Sequence, residues 1–263
     1  MNCHGAHAHL FSGCGFPSPS IQDFYFTPLF KLGSVGFGKP GLLLLLSAII
    51  VIGFFWLAFH SPKLVPRGMQ NIGEMGILFV RDQILRPQLG KKGDGWLPFL
   101  CSLFFFIWIN NIFGIIPILY FPAMAKFGYP VALTAIVWVL YMGLGLKKQG
   151  ISYFKTLTVP SGSPWWILPL LVPIEFFSNV IVRPFTLSVR LFANMLAGHV
   201  LLLVFALATW YLLTVSIGIL FSATSFVVLI LVTALEVLVQ ALQAFIFTIL
   251  TATYISGAYE TAH

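Results

Sequence analysis

The chain has 263 residues, of which 59% are hydrophobic and 8% are charged, and its formal net charge is +7. A soluble domain carries roughly 25% charged residues, so this composition excludes a soluble globular protein and predicts a polytopic membrane protein. The positive charges lie in short loops between apolar runs. They therefore bear on membrane topology, and no nucleic-acid partner is expected.

Residues 1–39 are expected to form a polar tail outside the cytoplasm, without the positive start and early apolar run of a cleaved signal peptide. Three histidines and Cys3 near the start leave metal binding open as an alternative, but a polar tail is favoured because chain termini are commonly disordered. The three cysteines have no metal or disulfide spacing, and Cys101 is expected to be a small buried hydrophobic residue. Neither a metal ion nor a cofactor is predicted.

Five apolar regions are long enough to cross a bilayer, which takes about 20 residues. The first is a helix over residues 40–59, and residues 97–146 form a transmembrane hairpin of two more helices. Residues 165–256 hold the last two, which are longer than one upright crossing needs and should therefore tilt. The expected fold is an all-α polytopic membrane protein with about five membrane-embedded helices, the last two paired antiparallel.

A loop over residues 60–96 separates the first span from the hairpin. Its apolar residues at helical spacing predict an amphipathic helix along the membrane surface; they are Met69, Ile72, Met75 and Phe79. An ordinary cytoplasmic loop with some helix is the alternative.

The distribution of Lys and Arg predicts the orientation. The segments 60–96, 147–164 and 257–263 hold nine of these residues, whereas the tail 1–39 and the other alternate loops hold three. Because positive charge is enriched on the cytoplasmic side, the N-terminus is expected outside and the C-terminus inside.

Arg190 is the most informative residue. It lies in an apolar stretch, and the next 45 residues contain no acidic or basic side chain except His199, until Glu236. A guanidinium at membrane depth costs about 2.5–3.5 kcal/mol on insertion scales, and Arg cannot lose its proton to avoid that cost. A fixed positive charge attracts a carboxylate and repels passing protons, which is the chemistry of ion translocation.

Two polar stripes run along the last two apolar regions. The first comprises Glu175, Asn179, Arg183, Arg190 and Asn194, although Pro184 can shift its register. The second, at helical spacing on the last helix, comprises Glu236, Gln240 and Gln243.

When two helices pair antiparallel, the residue numbers of facing residues add up to a nearly constant index sum. Three pairs between the two stripes have nearly equal index sums, which predicts one antiparallel register. The expected pairs are Arg190 with Gln243, Asn194 with Gln240, and His199 with Glu236. The last pair would lie about 13 Å along the helix from Arg190. His199 is also about half a turn round from Arg190, so either the helix is distorted near Gly198 or the two residues serve different faces.

A His beside a Glu is suited to a proton relay, because imidazole titrates near neutral pH and burial raises the pKa of a carboxyl group. The amides of Asn194 and Gln243 can orient water and hold an Arg without neutralising it. Structural alternatives exist, since polar side chains also join membrane helices. Gln240 alone is better explained as a packing residue. Of Asn110 and Asn111, one is expected to be structural and the other to face the proton path.

Three ordered motifs give the chain its resemblance to subunit a of the rotary F-type ATP synthases, over roughly residues 35–260. The most specific is Arg190-Leu191-Phe192-Ala193-Asn194-Met195 followed by Ala197-Gly198-His199. The others are Leu242-Gln243-Ala244-Phe245-Ile246-Phe247 and, more weakly, Asn111-Ile112-Phe113-Gly114-Ile115-Ile116-Pro117.

The resemblance implies a stator proton channel in the membrane sector Fo. Arg190 matches the essential arginine that faces the ring of c subunits, and Glu175 lies where relatives place an acidic group near the cytoplasmic exit. The residues that match the outer half-channel are Glu236, His199, Asn194 and Gln243, and the neighbouring Gln240 and Asn111 are included as path candidates. Some relatives exchange His199 and Glu236 and carry Asp at the position of Gly114.

The implied partners are the c-subunit ring, the b-type subunits of the peripheral stalk, the whole ATP synthase and membrane lipid. No phosphate-binding loop of the P-loop type is present, so ATP chemistry is expected in other subunits. A bacterial plasma membrane is favoured over a mitochondrial one. A secondary transporter or respiratory subunit and a haem-binding anchor are the alternatives.

Overall fold

A computed structural model describes residues 30–32, 35–116, 123–150, 152–158, 165–213 and 218–259. The histidines and Cys3 of the N-terminal tail lie outside these residues, as does most of the expected C-terminal segment. Within the tail, strands β1 (Phe30–Leu32) and β2 (Val35–Phe37) pair antiparallel with Phe30 opposite Phe37. This strand pair was not predicted from the sequence.

Most of the rest of the described chain is helical, which confirms the predicted all-α class. In chain order the helices are α1 (Lys39–Phe59), α2 (Met69–Val80), α3 (Arg86–Leu89), α4 (Leu97–Ile112), α5 (Gly128–Gln149), α6 (Ser152–Thr158), α7 (Leu168–Phe177), α8 (Arg183–Tyr211) and α9 (Gly218–Tyr259). Two π-helical segments, Arg81–Leu85 and Ser178–Val182, join α2 to α3 and α7 to α8.

Five helical stretches are long and apolar enough to cross a membrane: Lys39–Phe59, Gly93–Ile112, Gly128–Gln149, Leu168–Tyr211 and Gly218–Tyr259. The last two have 44 and 42 residues. At 1.5 Å per residue each is roughly twice as long as the hydrocarbon core is thick, so each must tilt strongly to remain in a bilayer.

The segment after α1 packs closely on the bundle. Gly73 and Gly76 put the α2 backbone against Ala58 and Phe105, and a Cβ atom at Gly76 would lie 2.7 Å from the Phe105 ring. The apolar residues that predicted this helix are exposed on α2; they are Met69, Ile72, Met75 and Phe79. A one-sided apolar helix of this kind is suited to a membrane surface.

Apolar residues cover much of the outside of the bundle, and several polar residues lie inside it beside an apolar core. Ile52 and Leu238 are 69% and 61% exposed, whereas Asn110 and Asn111 are fully buried. Cys101 is a buried free cysteine, as predicted. Lipid can solvate the apolar exterior, but every buried polar group needs an internal partner.

Helices α8 and α9 run antiparallel along much of their length. Ser222 Oγ donates to the Thr209 carbonyl oxygen at 2.8 Å near one end of the pair, and the Arg183 guanidinium lies 5.5 Å from the centre of the Tyr254 ring near the other. These contacts confirm the predicted pairing direction.

Candidate functional site

Six polar residues meet between α4, α8 and α9 and are called here the Glu236 cluster. They are Asn111, Asn194, His199, Glu236, Gln240 and Gln243. All are buried except Asn194, which is partly buried. All were predicted from the sequence as path residues, and the structure brings them together.

The pairing of Asn194 differs from the predicted register. Asn194 Nδ2 donates to Gln243 Oε1 at 2.8 Å, whereas the index sums placed Asn194 opposite Gln240. Gln240 is engaged elsewhere: its Nε2 donates to Glu236 Oε1 at 3.3 Å, and its carbonyl oxygen accepts Asn111 Nδ2 at 3.3 Å. Gln240 thus joins α9 to α4, and Gln243 is the residue that faces Asn194.

His199 and Glu236 line the same narrow space, as their index sum predicted, together with Gly114 and Gln240. The imidazole hydrogen-bonds to the backbone of Gly114. The Glu236 carboxyl group lies directly against the Cα atom of Gly198, and a Cβ atom built there would overlap it. A glycine at this position is therefore what allows the carboxyl group to reach the face of α8.

The space within the cluster is too narrow for a water molecule as the side chains stand. Three of its buried polar atoms, Asn111 Oδ1, Gln240 Oε1 and Gln243 Nε2, make no hydrogen bond within the part of the chain described. Leaving such an atom unsatisfied costs about 1–3 kcal/mol. The cluster thus has capacity for further hydrogen bonds when its side chains move.

The two asparagines of α4 have different surroundings. Asn110 Nδ2 donates to Ser47 Oγ at 2.6 Å and to the Phe106 carbonyl oxygen at 2.8 Å, so Asn110 ties α4 to α1. Asn111 faces α9 and the Glu236 cluster. One is structural and one lies at the candidate path, and the structure decides which.

A second polar region is an open cavity of about 870 Å³, called here the Glu175 cavity. It lies where α5, α6, α7, α8 and α9 meet α3. Its polar lining includes Gln88, Tyr141, Tyr153, Glu175, Asn179, Arg183, Thr253 and Tyr254. Glu175, Asn179 and Arg183 belong to the predicted stripe. The tyrosines and Gln88 were missed, because single polar or aromatic residues in separate apolar segments give no periodic signal.

Glu175 is held by its neighbour one turn on. Asn179 is 4% exposed, and its Nδ2 donates to Glu175 Oε2 at 3.2 Å and to the Leu157 carbonyl oxygen at 2.7 Å. This places the carboxylate at the cavity and anchors it to α6. Neither Glu175 nor Arg183 lines the narrow spaces of the Glu236 cluster.

Arg190 is exposed on α8, whereas His199 is 5% exposed. Of the two explanations for their half-turn offset, the structure therefore supports different faces. Among the described residues, no carboxylate lies within 4 Å of Arg190, since both ion pairs found there involve Asp82. Arg190 is therefore an exposed cation on a largely apolar helix.

Similarity to known proteins shows the family of the chain. The sequence profile of the family described as ATP synthase A chain matches residues 41–256. ATP synthase subunit a of Streptomyces lividans is 47% identical over 259 residues, which cover 97% of this chain and 92% of the relative. The chain belongs to the ATP synthase subunit a family.

Two other bacterial relatives agree. The subunit a of Pseudarthrobacter chlorophenolicus is 43% identical over 248 residues, 92% of this chain and 93% of the relative. That of Rhodococcus erythropolis is 44% identical over 249 residues, 92% of this chain and 90% of the relative. Membership confirms the resemblance drawn from the three motifs. The chain is a multi-pass membrane subunit of the Fo sector and takes part in proton transport within an ATP synthase.

Proposed function

We propose that this chain provides two offset proton half-channels, one on each side of Arg190, which load and unload carboxylates on a rotating ring of c subunits. One observation carries the proposal: Arg190 is exposed on α8 between two separate polar regions. Asn194, four residues later, belongs to the Glu236 cluster, and Arg183, seven residues earlier, lines the Glu175 cavity. These intervals are about 6 Å and about 10 Å along an α-helix.

In this proposal Arg190 is both the barrier between the half-channels and the partner of a ring carboxylate. Its position on the outside of α8 lets another chain approach it. At about 4 Å and an effective dielectric constant of 20, the attraction to a carboxylate is about 4 kcal/mol. That is enough to favour the ionised carboxylate opposite Arg190, and the same positive charge opposes direct passage of a proton from one region to the other.

The Glu236 cluster is the proposed loading path. His199 and Glu236 can each take and release a proton, and the four amides around them can orient the transfer without becoming charged. Because the space is narrow, the proton moves by rotation of these side chains, or through water admitted when they part. The protonated ring carboxyl group can then enter lipid, where its charged form would be too costly.

The Glu175 cavity is the proposed release path. It is open and polar, and its lining includes Gln88 and Gly257, which belong to segments expected on the cytoplasmic side. A proton released from the ring near Arg190 reaches this cavity and then Glu175. The carboxylate of Glu175 accepts it close to water.

The same charge distribution supports an extracytoplasmic N-terminus and a cytoplasmic C-terminus. The odd number of candidate spans among the described residues supports ends on opposite sides of the membrane. We place the chain in a bacterial plasma membrane, with the c ring and b-type stalk subunits as its direct partners. Protease access to a C-terminal tag in right-side-out and inverted vesicles tests the orientation.

The central experiment compares ATP-driven proton pumping and passive leak in inverted vesicles that contain the assembled complex. Arg190→Ala should abolish pumping, with assembly intact by immunoblot and with an equal or greater leak. Arg67→Ala, which removes an exposed arginine from the loop between α1 and α2, is the matched control and should pump normally. Normal pumping by an assembled Arg190→Ala complex would overturn the proposal.

A further inference from the structure

The helix that carries Arg190 is interrupted just before Pro184. Residues Ser178–Val182 are π-helical, and the Arg183 N–H donates to the Ser178 carbonyl oxygen five residues earlier. Proline has no N–H, so residue 184 cannot donate to the carbonyl group four or five residues before it. At the five-residue spacing of Arg183, an N–H at residue 184 would donate to the Asn179 carbonyl oxygen, so that group lacks this donor; the carbonyl group of Val180 is its neighbour, four residues before Pro184.

Two side chains of α5 donate to these same carbonyl groups. Trp138 Nε1 donates to the Val180 oxygen at 3.1 Å, and the Tyr141 hydroxyl donates to the Asn179 oxygen at 3.3 Å. The two residues are three apart and thus share one face of α5. Tyr141 is 3% exposed, and the Asn179 carbonyl oxygen is the hydrogen-bond acceptor of its hydroxyl group.

The interruption lies between the charged residues of the release path. Glu175 precedes it, held by the Asn179 side chain, and Arg183 follows it. The Tyr141 ring lies 5.3 Å from that of Tyr254, which in turn faces the Arg183 guanidinium at 5.5 Å. Tyr141, which caps the interruption, therefore also packs against Tyr254, the aromatic neighbour of Arg183.

We propose that Trp138 and Tyr141 are positioning residues for proton release: Tyr141 replaces the hydrogen bond that Pro184 removes, Trp138 caps the neighbouring carbonyl group, and together they fix Glu175 and Arg183 relative to Arg190. The inference rests on the proposed function. It assigns no proton transfer to either aromatic side chain. The titratable or charged groups that line the cavity around them are Glu175, Arg183, Tyr153 and Tyr254.

The test begins with Tyr141→Phe, which keeps the ring and removes only the donor. ATP-driven pumping in inverted vesicles should fall about three- to tenfold, the effect of one lost buried hydrogen bond, with assembly and passive leak unchanged. The pH midpoint of pumping on the release side should also move, because the charged groups on either side of the interruption are no longer fixed relative to Arg190. Tyr129→Phe, at the other end of α5, is the matched control and should behave as wild type.

The decisive variant is Pro184→Ala, which returns an N–H to the helix. In this background Tyr141→Phe should lower ATP-driven pumping by less than about twofold, and the pH midpoint of pumping should return to the wild-type value. A full additive loss in the double variant overturns the inference, as does wild-type pumping by Tyr141→Phe.

Arg190→Ala, measured in the same preparations, separates the two proposals. If it pumps normally, the proposed function fails. If it is inactive while Tyr141→Phe is normal, only the positioning role fails. Should Tyr141→Phe not assemble, recovery of both assembly and the pH midpoint with Pro184→Ala supports the inference, and failure to recover overturns it.

Discussion

Asn194 on α8 donates a 2.8 Å hydrogen bond to Gln243 on α9, next to the exposed Arg190. It joins two neutral amides within the most extensive helix pair of the molecule. Neither side chain can neutralise the arginine, so the bond holds the helices together beside the charge without competing for it.

The Asn194–Gln243 bond should be measurable as a coupling energy. A double-mutant cycle of Asn194→Ala and Gln243→Ala in the purified complex should give a coupling of about 0.5–1.5 kcal/mol in thermal or denaturant unfolding, the usual net worth of such a bond. The same cycle between Asn194 and Gln240, the pair expected from the index sums, should give a value near zero. The reverse pattern would show that the register described here is wrong.

Gly198→Ala should damage proton pumping by displacing the Glu236 carboxyl group. The added methyl group overlaps that carboxyl group, and overpacking of this kind costs about 1–3 kcal/mol. Pumping should fall about tenfold in assembled complexes. Glu236→Asp, which withdraws the carboxyl group by one methylene, should partly restore pumping when combined with Gly198→Ala.

Gly143→Ala on α5 is the matched control for the Gly198 variant, because a Cβ atom there meets nothing within 4 Å. It should leave pumping unchanged. An equal loss in both glycine variants would point to a general helix effect and remove Glu236 from the explanation.

The two asparagines of α4 should differ in what they affect. Asn110→Ala removes bonds to Ser47 and to the α4 backbone, so it should lower the unfolding temperature while pumping per assembled complex is retained. Ser47→Ala should reproduce part of that loss. Asn111→Ala should instead lower pumping per complex more than stability, since Asn111 lines the Glu236 cluster. Equal pumping by the two asparagine variants would contradict this division.

Asp82 should titrate below the usual range. It lies outside the five spans, and the hydrogen bond from Arg81 at 2.9 Å lowers its pKa, with smaller help from the charges of Arg81 and Arg86. A lowered folded-state pKa means that the pair stabilises the fold above the unfolded pKa. This contribution is lost as the pH falls through the folded pKa.

The pKa of Asp82 can be measured by carbon NMR on detergent-solubilised protein with labelled aspartate, since the chain has three aspartates and Asp82→Asn assigns the signal. Arg81→Gln should raise this pKa toward its ordinary value. High salt should weaken the effect, because the pair is exposed. An unchanged pKa in Arg81→Gln would show that the contact does not persist.

The spans and polar stripes could be predicted because local rules create them. An apolar run long enough for a bilayer forms a helix wherever it packs, and residues such as Glu236, Gln240 and Gln243 share a face through helical spacing alone. The wrong pairing of Asn194 has an equally clear cause. Helical spacing puts Gln240 and Gln243 on nearly the same face of α9, and which of them meets Asn194 depends on how α8 and α9 pack.

The sequence by itself determined that this is a five-span membrane protein, which family it belongs to, and that Arg190, His199 and Glu236 are its unusual intramembrane groups. Composition, length and local spacing carry that information. Only the tertiary structure decided that Arg190 faces outward while His199 is buried, that Asn111 rather than Asn110 meets α9, and that Trp138 and Tyr141 cap the interruption at Pro184. These contacts join residues far apart in the chain, and their geometry depends on how the helices pack.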